Sequence, residues 1–105
     1  MKYLLTAALL FPIASAAAGV EFTLTIHDHR FQPAELIVPA DKKIKLIIVN
    51  QDDTAEEFDS HALNREKVIP ANSSTTLYIG PLKPGRYPFV GEFHNQTAQG
   101  TVVAQ

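Results

Sequence analysis

Lys43-Ile44-Lys45-Leu46-Ile47-Ile48-Val49 alternates polar and apolar side chains at first and then runs continuously apolar, until Asn50-Gln51-Asp52-Asp53 closes it with a polar loop. A period of two belongs to a strand with one face on a core. The continuous run that follows predicts a strand passing from a sheet edge into the core of a sandwich. Upstream, Phe22, Leu24 and Ile26 alternate with Glu21, Thr23, Thr25 and His27, which predicts a half-buried strand over Glu21–His27. A short apolar pair, Ile37-Val38, ends at the turn Pro39-Ala40-Asp41. Downstream, Glu56–Asp59, Lys67–Ile69, Ser74–Ile79, Gly85–Val90 and Gly100–Ala104 read as further strands, separated by turns such as Pro70-Ala71-Asn72 and Leu82-Lys83-Pro84-Gly85. Within this series only His61–Glu66 has room for a helical turn. Short strands at this spacing predict an all-β protein built as a sandwich or barrel.

Composition narrows the function. The chain has 105 residues, 46% of them apolar, and nine Lys and Arg against eleven Asp and Glu, for a formal charge of −2. No positive surplus exists to neutralise a phosphate backbone, so no nucleic-acid role is expected. With no cysteine in the chain, a disulfide framework, a thiolate metal site, an iron–sulfur cluster and a cysteine nucleophile are all excluded. Ser60, Ser73 and Ser74 lack a nucleophile-elbow or triad setting, and there is no Gly-rich phosphate loop. At the N-terminus, Lys2, the apolar stretch Leu4–Ile13 and the small residues of 14–18 form the pattern of a secretory signal peptide over residues 1–18. The expected mature domain is therefore 19–105, exported to the periplasm without membrane insertion.

Four phrases in order carry a family resemblance: Phe31-Gln32-Pro33-Ala34-Glu35-Leu36-Ile37-Val38-Pro39-Ala40, the Lys43–Asn50 strand, Leu82-Lys83-Pro84-Gly85-Arg86-Tyr87-Pro88-Phe89, and Gly100-Thr101-Val102-Val103. Together they resemble a small bacterial cupredoxin, which implies a two-sheet Greek-key β-sandwich with a metal site at one end. In a copper-transfer cupredoxin the last loop supplies Cys, His and usually Met, and an earlier His-x-Phe supplies a second His. Here Gly91 stands at the Cys position, His94 at the His position, Gln99 at the Met position, and Glu56 before Phe58 at the earlier His, with Glu57 as the competing register. A blue-copper centre needs a thiolate, which this chain cannot provide. Imidazole, carboxylate and amide donors are harder; they favour divalent copper, iron or manganese over monovalent copper and stabilise ferric over ferrous iron.

Six residues are therefore candidate metal ligands. His94 lies in the end loop; Glu92, two residues earlier, would share its face in an extended segment. Glu56 has the parity of Phe58 and so starts inward, where an unpaired carboxylate is costly and calls for a metal or a hydrogen-bonded partner. Glu57 takes the opposite face with Asp59, and His61 and Glu66 occupy a connection that could fold over the same end. A second group, His27-Asp28-His29, would put both rings on one side of an extended strand, but His27 falls on the polar face of the first strand and His29 in the following turn, so both read as surface.

The variant set Glu56-Glu57-Phe58, Arg65 to Pro70, Lys83 to Phe89 and Gly91-Glu92-Phe93-His94 resembles the periplasmic cupredoxin components of bacterial ferrous-iron uptake systems. The resemblance implies a copper or iron ion and an iron permease complex, or another periplasmic metal-handling protein, as partner. It also implies an accessory role in ferrous-iron oxidation rather than a stand-alone enzyme. Two other readings remain open: a divalent-copper protein for copper tolerance or delivery, and a metal-free sandwich that serves as an interaction module.

Overall fold

The alternating residues become nine strands in the computed structural model, which describes residues 20–105. The expected signal peptide lies outside the described residues, among which no helix is long and apolar enough to cross a membrane. The strands are β1 (Glu21–His27), β2 (Arg30–Gln32), β3 (Glu35–Val38), β4 (Ile44–Asn50), β5 (Glu56–Ser60), β6 (Arg65–Ile69), β7 (Ser74–Ile79), β8 (Gly85–Gly91) and β9 (Gln99–Ala104). They form a four-stranded sheet in the order β2-β1-β4-β7 and a five-stranded sheet in the order β3-β9-β8-β5-β6. Strand β1 runs parallel to β4, and β3 parallel to β9; the other pairs are antiparallel. The result is an all-β sandwich of two sheets, the architecture that the resemblance implies.

Burial explains the alternation. Leu24 and Ile26 of β1, Ile44, Leu46 and Ile48 of β4, and Leu77 and Ile79 of β7 face Val38, Phe58, Ile69, Phe89, Val102 and Ala104 of the other sheet. Strand β4 differs from expectation in one respect. It is central rather than an edge strand, alternating to its end, and Ile47 and Val49 are half-buried on its outer face between β1 and β7. An inner strand needs less polarity on its outer face than an edge, which is why the run reads as continuous.

At the centre of the core, the Phe89 ring packs edge-on against Phe31 at 4.9 Å between centroids and stacks on Phe58 at 4.9 Å. Gly100 makes room for this cluster, since a Cβ there would fall 2.4 Å from Phe89 Cζ. Phe31 comes from β2, a three-residue strand absent from the sequence reading because it carries a single apolar residue between Arg30 and Gln32.

The helical turn for which His61–Glu66 had room does not form. A tight turn over 61–64 is closed by the Asn64 N–H donating to the His61 carbonyl at 3.0 Å; Asn64 then adopts φ 56°, and Arg65 and Glu66 open β6. A left-handed residue ends any right-handed helix. Helical geometry occurs instead at Glu92–His94, as one 3₁₀ turn.

Replacing Phe58 with Ala removes a fully buried ring from the aromatic cluster and is expected to cost about 3–5 kcal/mol of stability, read from the midpoint of urea unfolding.

Candidate metal centre

Glu56 is the first residue of β5 and points inward, in register with Phe58. Its carboxylate is 1% exposed, and burial on this scale requires partners. Three donors meet it. Oε1 accepts the backbone N–H groups of Glu57 at 2.9 Å and Phe93 at 2.8 Å, and Oε2 lies 2.8 Å from Nδ1 of His94. An acceptor-only carboxylate matches three donors. With Nδ1–H given to Glu56, the His94 lone pair is on Nε2, which has no hydrogen-bond partner among the described residues. A carboxylate holding one imidazole nitrogen so that the other can bind a metal is a common outer-shell arrangement.

The loop that carries His94 is closed on itself. The Gly91 N–H donates to the Ala98 carbonyl at 2.8 Å, and the Ala98 N–H to the His94 carbonyl at 2.9 Å. Gly91, opposite Phe58 in the ladder, leaves room for Glu56. A Cβ at Gly91 would fall 2.6 Å from Glu56 Cδ and 2.7 Å from Ala98 Cβ. The place that the resemblance assigned to a thiolate is thus filled by a carboxyl group. These residues do not fit a blue-copper centre, whereas an ion held by nitrogen and oxygen donors fits the imidazole and carboxylates present.

The other candidates fall in different places. The 3₁₀ turn sets residues two apart about 240° around its axis, so Glu92 does not share the face of His94 as an extended segment would allow, and it is exposed. Glu57 lies on the outer face of β5, diagonal in the ladder to Glu66 of β6, and the charges of Glu66, Asp59 and Glu92 surround it. Burial first, and then this negative surround, push the Glu57 carboxyl above its ordinary range. His61 follows the far end of β5, four residues and about 13 Å of strand from Glu56. It lines an open depression with Asp59, Ala62, Pro88, Phe89 and Val90. The β5–β6 turn therefore does not fold over the His94 end. Gln99 is exposed, and its Nε2 donates to the Asn95 carbonyl at 2.9 Å.

A residue read as surface joins the site instead. The His29 ring stacks on His94 with centroids 3.7 Å apart and planes 14° from parallel. His29 is not on the strand face of His27: Asp28 and His29 form the two-residue β1–β2 turn with φ of 53° and 57°. Asp52 holds that turn, Oδ1 accepting the Asp28 N–H at 2.8 Å and Oδ2 the His29 N–H at 2.9 Å. Burial raises the Asp52 pKa, but the two backbone N–H groups and the imidazoles of His29 and His27 outweigh it and bring the carboxyl below its usual value. His27, Asp28 and Asp52 also place one potential ligand atom each within 4.8 Å of one another. The turn signal for His29 was present in Asp28-His29 between two strands; its contact with His94 was not.

Comparisons with known proteins bear on the family and the fold. The model of the cupredoxin-like domain family matches residues 2–104. An uncharacterised protein of Rickettsia prowazekii (strain Madrid E) is 49% identical over 84 residues, 80% of this chain and 67% of that protein. Auracyanin A, a blue copper protein of Chloroflexus aurantiacus, superposes with a TM-score of 0.70 at 13% identity, over 82% of this chain and 98% of its own. The metal-binding domain of a Cu(I)-exporting P-type ATPase of Streptococcus pneumoniae D39, solved with Cu(I), gives 0.70 at 13% identity over 88% and 92%. Amicyanin of Paracoccus versutus gives 0.63 at 14% over 85% and 83%. At these identities the solved structures establish the fold.

Two outcomes follow. Gly91→Ala is expected to cost about 1–3 kcal/mol by overpacking against Glu56, and to cost less in a Glu56→Ala background; additive losses in denaturant unfolding would show that the two positions do not compete for space. The raised Glu57 carboxyl opposes folding fully above its folded-state pKa and ceases to do so as pH falls below the ordinary carboxylate range. Glu57→Gln should therefore raise the melting temperature at pH 7 and low ionic strength, with a gain that shrinks in salt or acid.

Proposed function

The chain belongs to the cupredoxin-like domain family, and on that footing we propose that it is an exported metal-binding protein that holds copper or iron through nitrogen and oxygen donors and supports ferrous-iron oxidation and uptake with a membrane iron permease. The observation that carries this reading is the buried Glu56 carboxylate, which fixes Nδ1 of His94 and leaves Nε2 as a metal-ready lone pair. The same carboxylate fills the space of the thiolate that electron-transfer copper centres use. When bound, copper or iron in such a donor set supplies one-electron redox chemistry. The residues do the rest: Glu56 holds the His94 proton at Nδ1, His94 presents Nε2, and Glu57, Glu66 and Glu92 gather negative charge that raises the local cation concentration. The iron permease is the partner of this reading.

Harder donors also suit divalent copper, and copper delivery without iron chemistry is the second reading, favoured by the solved structures of similar fold that are described as copper proteins.

Metal analysis after exposure to copper(II) or iron(II) and desalting is expected to give near one equivalent, lost in His94→Ala. Retention by the variant, or none in the wild type, would overturn the proposal. Retained copper with no retained iron, and no stimulation of ferrous oxidation by an iron permease partner, would favour copper delivery.

A further inference from the structure

We propose that His29 is the second imidazole ligand of this centre, supplied by the β1–β2 turn in place of the histidine that Glu56 displaces; the inference rests on the metal-binding function proposed above. The first support is how much structure is spent on one half-exposed ring. His29 and Asp28 both take left-handed backbone conformations without being glycine, and such conformations persist where the surroundings impose them. Asp52 accepts both N–H groups of the turn, and Thr97 Oγ1 donates to the His29 carbonyl at 2.7 Å, tying the turn to the loop that carries His94. Asp52 is itself placed by Asn50, which is 1% exposed; Asn50 Oδ1 accepts the Asp52 N–H at 3.0 Å, and its Nδ2 donates to the carbonyls of Thr54, Ile69 and Pro70.

The second support is chemical symmetry. Nδ1 of His29 lies 3.5 Å from Asp52 Oδ2, as Nδ1 of His94 lies 2.8 Å from Glu56 Oε2. Each ring thus has a carboxylate near its Nδ1, hydrogen-bonded at His94 and in longer contact at His29, so Nε2 is the nitrogen of each ring offered to a metal. Packing alone does not call for this arrangement, because an apolar ring at position 29 would cover His94 as well and would need no carboxylate.

Geometry adds a requirement. An imidazole bonds a metal in its ring plane, and two planes 14° apart with centroids at 3.7 Å direct their lone pairs along nearly parallel lines. One ion reaches both nitrogens only if a ring turns. His29, with 43% of its side chain exposed and a long contact to Asp52, is the ring free to do so, while His94 is locked to Glu56. Metal binding thus opens the stack and leaves the His29 backbone clamped.

Copper(II) serves as the probe ion, and pulsed EPR counts coordinated imidazoles through their remote nitrogens. The wild-type chain is expected to show two imidazoles. His29→Asn, which suits a left-handed turn, should show one and bind copper about tenfold more weakly or worse. His27→Asn should still show two. One imidazole in the wild type, two in His29→Asn, or a loss in His27→Asn alone would overturn the role of His29 while leaving a His94 centre standing. No stoichiometric copper in the wild type, or binding untouched by His94→Ala, would remove the metal-binding function itself and this inference with it.

Discussion

A carboxylate taken out of water at the end of a β-sandwich sets the terms for everything around it. Glu56 is a strand residue whose parity with Phe58 sends it inward, and an inward carboxylate must be met by donors or the strand does not fold there. The donors come from its own neighbour, from the backbone at Phe93 and from the His94 ring. Two of these lie in the loop after β8, so the 3₁₀ turn and the closed 91–98 loop are shaped by the need to reach Oε1 and Oε2. Gly91 is the steric counterpart, because the volume a side chain would occupy is already taken.

A second chain of polar contacts reaches the same end from the other sheet. Buried Asn50 ends β4 and organises the 51–54 loop; Asp52 in that loop fixes the β1–β2 turn; and the turn lays His29 on His94. Each step satisfies a buried or strained group, so removing any member exposes the next to an unmet hydrogen bond. The apolar core beneath is indifferent to these choices. Phe31, Phe58 and Phe89 hold the sheets together without touching the ligand question, which is how one sandwich accommodates different metal chemistries at its end.

The sequence was most readable where the signal was local. Alternation located the strands, and the parity of Glu56 with Phe58 gave its inward aim and its need for partners. Where the reading failed, the determining contact was distant or the local rule had been suspended. His29 was legible as a turn residue after β1, and positive φ at Asp28 and His29 agrees, but its stacking on His94 depends on a loop some 65 residues later in the chain. Glu92 and His94 lost their common face to a 3₁₀ turn that answers to Glu56, some 36 residues earlier in the chain. His61 looked close to the site because a connection can fold either way; only the Asn64 turn decides it.

Thiolate and carboxylate cannot both occupy this end of the sandwich. A side chain at position 91 and a glutamate at position 56 compete for the same volume, so the softness of the donor set and the identity of the buried acid are one variable. With Gly91 and Glu56 in place, no sulfur stands at this end, and the Glu56 carboxylate would act on an ion held by His94 only through that imidazole. The carboxylate makes that imidazole a better donor, and harder donors stabilise the higher oxidation state of copper or iron. A metal centre built on these donors would therefore be a weak oxidant in its own right, better suited to holding an oxidised ion than to passing electrons rapidly through it.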